Sequence, residues 1–322
     1  MPQTSEEIKN VYSEEYWKAK KVDYENLIGR LKLPFEMADI KKGELILDLG
    51  GGLGEISYQC LKKGAKVVYV DYSDYAIEQA KKIKGLEVHG CSILDFIKKE
   101  KRVFDKTFLI DVFEHLSKEE NEKLFRWLAD HTKRVIIQTP IYKSYLKETG
   151  HIFILPLKEL KEFLNKHGFI IEKEFVKEKL TAVCKRKKKV VAASGYFIWL
   201  HAGHCEYFEK AKQLGDELVV ILNNDIQQKI KYGKVIVPYK EREKIIKSIR
   251  YVDRVMESID KDESVCASLE ALKPDIFAKG GDRTIYNIPE KKVCEKNKIK
   301  IVWGLGKKIQ SSSWLMNKIK NL

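Results

Sequence analysis

Residues 190–225 read VVAASGYFIWLHAGHCEYFEKAKQLGDELVVILNND, and their pattern decides the fold of the second half of the chain. An apolar run from Val190 leads through Gly195 to His201-Ala202-Gly203-His204, two histidines three positions apart. Beyond them Tyr207, Phe208, Ala211 and Leu214 recur at helical spacing, Gly215 stops the pattern, and Leu218 to Leu222 form a second apolar run. The stretch reads as strand, helix, strand, with both imidazoles at the carboxyl end of the first strand. Ligands of open α/β sheets bind at that end, and a helix N-terminus there favours an anion.

Length and charge bound the rest. A chain of 322 residues exceeds one typical domain and suggests two, each able to bury a core. With 44% hydrophobic and 34% charged residues it is globular, not disordered. The formal net charge of +14 divides as about +5 over residues 1–187 and about +9 over residues 188–322. That balance suits nucleotides and other phosphate-rich ligands, and a lysine-rich solvated surface explains it equally well. Nucleic acid as a partner finds no support, because neither an aromatic-basic ribonucleoprotein pattern nor a recognition helix is present.

The six cysteines lie far apart without paired spacing, so neither a disulfide framework nor a zinc site is suggested, and no metal-ligand set is expected. The first residues, MPQTSEEIKN, are polar and acidic, and no apolar run has the length of a membrane span. The expectation is a soluble cytoplasmic protein of a reducing compartment, with no membrane partner.

In the first half, residues 5–33 read as helix, with Tyr12, Tyr16, Trp17 and Tyr24 as an aromatic series. These rings suit either stacking on a ligand or packing over a sheet edge. The sharp signal is ELILDLGGGLGE over Glu44 to Glu55: an apolar strand, Leu45 to Leu49, runs into Gly50-Gly51-Gly52-Leu53-Gly54 before a helical pattern. Glycines there permit a tight turn and let a ligand lie against the backbone. The next strand ends in Asp71, where a carboxylate is placed to accept from ribose hydroxyls. A short strand then meets Gly90-Cys91-Ser92-Ile93-Leu94-Asp95, and FDKTFLIDVFEHL, from Phe104 to Leu116, gives a fourth strand and a turn.

Together these segments resemble the class I S-adenosylmethionine-dependent methyltransferases over roughly residues 40–187, with LDLGGGLG, VDYSDYAI and FDKTFLIDVFEHL in family order. The resemblance implies Gly50, Gly52 and Gly54 against the methionine portion of the donor and Asp48 near its amino group. Asp71 would hold the ribose, Ile93, Leu94 and Asp95 would surround the adenine, and Asp111 would line the pocket. Methyl transfer from a sulfonium needs donor and acceptor held together in a dry site, so a base is optional. His115 and His151 are candidates for one, and both also suit a purely structural role. With no long insertion between strands, the acceptor is expected to be small.

Lys185-Arg186-Lys187-Lys188-Lys189 marks the seam and reads as a solvated hinge between domains at 1–187 and 188–322. The second half resembles the nucleotidyltransferase superfamily with a His-x-Gly-His motif, particularly glycerol-3-phosphate cytidylyltransferases and heptose-phosphate adenylyltransferases. GYFIWLHAGH, Glu241-Arg242, Ile249 to Val255, KPDIFAKGGDR and Gln310-Ser311-Ser312-Ser313 carry this resemblance. It implies that His201 and His204 donate to the α-phosphate of a nucleoside triphosphate as pyrophosphate leaves, a reaction run by positioning and electrostatics. Lys229, Lys231 and Arg242 would hold phosphates. Gly195, Tyr196, Phe197, Gly280, Gly281, Asp282 and Arg283 would border the nucleotide, and Ser311, Ser312 and Ser313 would add donors. Magnesium is implied by the reaction and not by visible ligands.

Two departures stand out. The family commonly has an aspartate where this chain has Ile198, and the Arg-Thr-x-Gly segment common in cytidylyltransferases is replaced by Gly306-Lys307-Lys308-Ile309. Lysine supplies point charge without the guanidinium fork, so the base preference leans to CTP with ATP open.

The expected fold is α/β, two doubly wound and largely parallel sheets, a methyltransferase fold followed by a Rossmann-like nucleotidyltransferase fold. The expected function is bifunctional, with S-adenosylmethionine and CTP or ATP with Mg2+ acting on small phosphate substrates. Dimerisation through the C-terminal half is implied only by the resemblance. Two alternatives stand beside this reading: a regulatory nucleotide-binding protein with one inactive half, and an RNA methyltransferase with a nucleotide-sensing domain.

Overall fold

The computed structural model describes residues 14–20, 22–27, 29–147, 150–280 and 289–305. The chain divides into two units, Met1–Lys187 and Lys188–Leu322. The first is built on a seven-stranded sheet: β1 (Leu45–Leu49), β2 (Lys66–Asp71), β3 (Glu87–Gly90), β4 (Phe104–Ile110), β5 (Thr132–Pro140), β6 (Phe169–Val176) and β7 (Lys179–Arg186). Their order is β3-β2-β1-β4-β5-β7-β6, parallel except that β7 runs antiparallel to both its neighbours. The central strands β1 and β2 are covered on both faces, which is why they are nearly continuous apolar runs, while the edge strand β6 is largely exposed. Leu47, Leu49, Val68, Val70, Leu109 and Ile137 enter one core cluster, while the alternating Ile46, Val67, Phe108 and Ile136 enter another.

The second unit is a five-stranded, fully parallel sheet of order β10-β9-β8-β11-β12. It consists of β8 (Val190–Gly195), β9 (Glu217–Leu222), β10 (Arg254–Glu257), β11 (Ile276–Gly280) and β12 (Lys300–Leu305). The helix between β8 and β9, Ala202–Lys212, buries Tyr207, Phe208 and Ala211, the residues whose spacing announced it. Strand order reverses direction at β8 and at β1, so in each unit the crevice beyond that strand's carboxyl end is where a ligand is expected.

Two expectations need correction. Residues 5–33 do not form one helix: among the described residues the helix Glu14–Lys18 is followed by turns, and helical structure resumes only at Gly29–Leu31 and Lys32–Ala38. The aromatic side chains here are spent on tertiary contacts rather than on one helical face. The basic seam is also shorter than five residues. Lys185 and Arg186 belong to β7, paired in register with Arg134 and Phe169, and only residues 187–189 lie between strands.

Candidate functional site

At the carboxyl end of β1 the chain turns through Gly50 and Gly52 with φ of +67° and +54°. Only glycine fits at Gly50, since a Cβ there would also stand 2.6 Å from Val112. The turn is tied to β2: Tyr69 donates its hydroxyl to the Gly52 carbonyl at 2.5 Å, and Asp71 accepts from the Gly52 amide at 2.9 Å. Gly50, Gly52, Asp48, Asp71, Ile93, Leu94, Asp95 and Asp111 all line one cleft of about 1400 Å³.

Gly54 is not among the lining residues. It caps the helix Glu55–Lys62 at φ +80°, with Ile83 packed where a Cβ would go, so its role is in the turn rather than against a ligand.

The floor of this cleft is acidic and dry. Asp48 is 3% exposed and accepts from Ser57 Oγ at 2.7 Å. Burial pushes its carboxyl up to about 6, against the Ser57 hydrogen bond and with the charge of Asp71 adding to the rise. Burial raises Asp71 as well, opposed by the backbone amides of Ser73 and Gly52. Two buried carboxylates without a partner cation are costly, so the floor is built for a cationic ligand or for protons. Overhead, Trp17 packs against Gly52 and donates its indole N–H to Ser73 Oγ at 2.9 Å. Tyr24 donates to the Leu53 carbonyl at 2.8 Å. Of the aromatic series, Tyr12 lies outside the described residues.

Farther along the cleft, beyond β4, Asp111 lies at φ +53° and its carboxylate is committed to Arg30 and, at 2.7 Å, to Lys179. Glu114 is fully buried; Thr139 donates to one of its oxygens at 2.9 Å, and the other has no hydrogen-bond partner among the described residues. Burial, helped by Asp111, pushes its carboxyl up to about 8. His115 Nδ1 bonds the Gly150 carbonyl at 2.7 Å, and His151 Nδ1 bonds the Tyr145 carbonyl at 2.9 Å. The rings are 4.9 Å apart, and burial pushes His115 down to about 4. One metal-ligating atom from each of Glu114, His115 and His151 lies within 4.8 Å of the other two. Spacing along the chain shows no such set; the fold assembles it from the turn after β4 and the loop before the helix Leu157–Lys166.

In the second unit His201 is the N-cap of the helix Ala202–Lys212, and its ring stacks on His204 with centroids 3.9 Å apart. The Nδ1 atoms of both are buried without a hydrogen-bond partner among the described residues. Burial, and then His201, push His204 down to about 4; burial lowers His201 too, so both rings are neutral near pH 7. Phe197, at φ +45°, meets His204 edge-on at 5.1 Å and lies against Gly195, while Ile198 is buried. Lys231 places its ammonium 4.3 Å above the Tyr196 ring, and Lys229 is exposed on the same helix, Asp225–Tyr232. Gly280 ends β11 and packs against Tyr207, whose hydroxyl donates to the Ala278 carbonyl at 2.8 Å. Gly281, Asp282, Arg283, Lys307, Lys308, Ser311, Ser312 and Ser313 lie outside the described residues.

Arg242 is a correction. Instead of reaching for phosphate it is 1% exposed, with Nε donating to the Val237 carbonyl at 2.8 Å. Nη1 donates to the carbonyls of Tyr196 at 3.0 Å and Asn223 at 2.7 Å, and Nη2 donates to Asp225 at 2.9 Å. Its rigid fork pins the segments that follow β8 and β9, which a phosphate-binding side chain would leave untied. Sequence reasoning missed Lys279 of KPDIFAKGGDR: it is buried at the end of β11, with Nζ 3.5 Å from both Glu290 and Ser194 Oγ.

These geometries can be set beside known proteins. Residues 192–310 match the cytidylyltransferase-like family model, and residues 46–134 match a methyltransferase domain model. The chain joins a methyltransferase domain to a cytidylyltransferase-like domain. It is therefore a chain of two transferase domains, one on each sheet.

The chain is similar to the bifunctional protein HldE of Helicobacter pylori (strain Shi470), 36% identical over 134 residues, 41% of this chain and 24% of that protein. The chain thus spans about a quarter of that relative's length. The chain is also 42% identical over 100 residues to the FAD synthase of Pyrococcus horikoshii, covering 30% of this chain and 66% of that one. Among solved structures, magnesium protoporphyrin IX methyltransferase from Synechocystis PCC 6803 with bound SAM matches 56% of this chain and 97% of its own, at 15% identity and a TM-score of 0.43. Among the described residues no helix is long and apolar enough to cross a membrane.

Proposed function

We propose that this chain is a bifunctional transferase. Its methyltransferase domain moves a methyl group from S-adenosylmethionine to a small acceptor. Its cytidylyltransferase-like domain moves a nucleotidyl group from CTP or ATP to an alcohol-phosphate or sugar-phosphate, releasing pyrophosphate. The observation that carries the reading is the His201–His204 pair, two stacked neutral imidazoles at a helix start with buried, unpartnered Nδ1 atoms. Neutral imidazoles at a helix start can donate to a phosphate as charge spreads over it in the transition state, and the helix N-terminus adds to them. Magnesium, implied by the reaction, would be carried by the triphosphate and would help neutralise its charge.

The acidic cleft of the other domain fits the methyl donor. S-adenosylmethionine supplies an activated methyl on a sulfonium, and its cationic groups match the buried carboxylates Asp48 and Asp71. The residues of this chain would bind and orient the donor: Gly50, Gly51, Gly52 and Trp17 all line the cleft, and Trp17 packs against Gly52. Small phosphate compounds are the proposed substrates, and a homodimer through the C-terminal domain is the proposed assembly. Similarity to the cytidylyltransferase-like family brings in CTP, while similarity to an FAD synthase, whose product carries an adenine nucleotide, brings in ATP. Pyrophosphate release from each triphosphate with a panel of alcohol and sugar phosphates tests the reading. Tight triphosphate binding with no release for any acceptor would overturn it in favour of a regulatory nucleotide-binding role.

A further inference from the structure

The cleft of the methyltransferase domain holds a second chemistry that methyl transfer from a sulfonium does not require. Glu114 presents one carboxylate oxygen, fully buried and without a hydrogen-bond partner among the described residues, in a cleft that His115 and His151 also line. An orphaned buried carboxylate oxygen is a costly feature that a cation would relieve. Both imidazoles are anchored through Nδ1 to backbone carbonyls, of Gly150 and Tyr145. That bond sets the Nδ1–H tautomer in a neutral ring and places the lone pair on Nε2, the arrangement in which histidines ligate metals. Thr139 fixes the other oxygen of Glu114 from the end of β5. Each of the three ligands therefore has its own orienting partner, and their ligating atoms converge to within 4.8 Å.

We propose that Glu114, His115 and His151 form a binding site for a divalent transition-metal cation. Two imidazoles and one carboxylate suit such an ion better than calcium or magnesium, which prefer all-oxygen sets. Three protein ligands leave coordination positions open toward the cleft, so the ion would receive an oxygen donor of the molecule bound there. The ligands follow β4 and β5, whereas Asp71 closes β2, two strands away in the sheet order β2-β1-β4. The ion would thus stand beside, and not within, the acidic floor. The site itself does not depend on the identity of the methyl donor.

The test uses the untagged full chain, stripped with chelator and titrated with Co2+ while visible absorption and calorimetry are followed. One Co2+ per chain with d–d bands is expected. Glu114→Gln and His151→Asn should each weaken binding at least about 100-fold, beyond the 10–100-fold effect typical of losing an outer-shell partner. His204→Ala should leave the bands in place, and thermal unfolding of each variant reports that it is folded. Bands that survive both substitutions, bands lost only in His204→Ala, or a folded wild-type chain that binds no Co2+ would overturn the proposal. Co2+ binding by a chain that fails to bind S-adenosylmethionine would support the ion site and count only against the methyl-donor reading.

Discussion

Two side chains concentrate the residue-scale chemistry. His204 makes no hydrogen bond through its buried Nδ1, and burial holds its ring neutral, so removal of the ring mainly deletes a donor to the reacting phosphate. His204→Ala should lower the rate of pyrophosphate release about 10²–10³-fold, as loss of a transition-state donor does, with triphosphate affinity changed far less. Asp48 gives a pH-dependent prediction. Its folded value of about 6 lies above the ordinary 3.8, so the folded protein holds a proton that the unfolded chain releases. The corresponding stabilisation is complete below pH 3.8 and is lost as pH rises through about 6, a swing of about 3 kcal/mol. Docking of a cationic donor needs the ionised carboxylate. Affinity for S-adenosylmethionine should therefore climb with pH up to about 6, on the order of tenfold per unit, and level off above it. Calorimetry across pH 4.5–8 checks this, and Asp48→Asn should flatten the profile; a flat wild-type profile would remove Asp48 from donor binding.

At the scale of elements, Arg242 shows how strand ends are kept in place. Its guanidinium serves carbonyls that follow β8 and β9 and a carboxylate at the start of the helix Asp225–Tyr232. Arg242→Met would leave those carbonyls without their donor, at a cost of about 1–3 kcal/mol each, while Arg242→Lys would keep charge without the fork. Thermal unfolding of the second unit should fall in both variants, more in the methionine one, and pyrophosphate release should fall because Tyr196 adjoins Phe197 and the histidines. Unchanged stability with lost activity would instead return Arg242 to the phosphates. This role was not legible from the sequence, because three of the fork's four partners are backbone carbonyls that no side-chain pattern reveals. Strands β1, β2 and β9 were legible: sheets covered on both faces demand unbroken apolar runs, and the glycine turn and the HAGH segment sit directly at strand ends. Glu114 escaped notice because its significance depends on His151, which the loop before the helix Leu157–Lys166 brings to it. The helix expected over 5–33 failed for the converse reason. Trp17 and Tyr24 are fixed by Ser73 and Leu53, contacts invisible to local periodicity.

For the whole molecule, each unit has its own sheet and its own core clusters, and the partners of Asp48 all belong to the first unit while those of His204 belong to the second. Substitutions that share no partner act additively. Asp48→Asn should therefore abolish methyl transfer while leaving pyrophosphate release within about twofold of wild type, and His204→Ala should do the reverse. This separation makes the two variants a tool for ordering the steps. If both domains act on one metabolite, incubation of the full chain with a metabolite extract, S-adenosylmethionine and a triphosphate should yield one product carrying both groups by mass spectrometry. Asp48→Asn would then accumulate the nucleotidylated, unmethylated compound if nucleotidyl transfer comes first. It would yield no nucleotidyl product if that transfer requires a methylated acceptor, and His204→Ala would accumulate the methylated precursor. Two unrelated products, each lost in one variant alone, would instead mean that the domains share a chain without sharing a substrate.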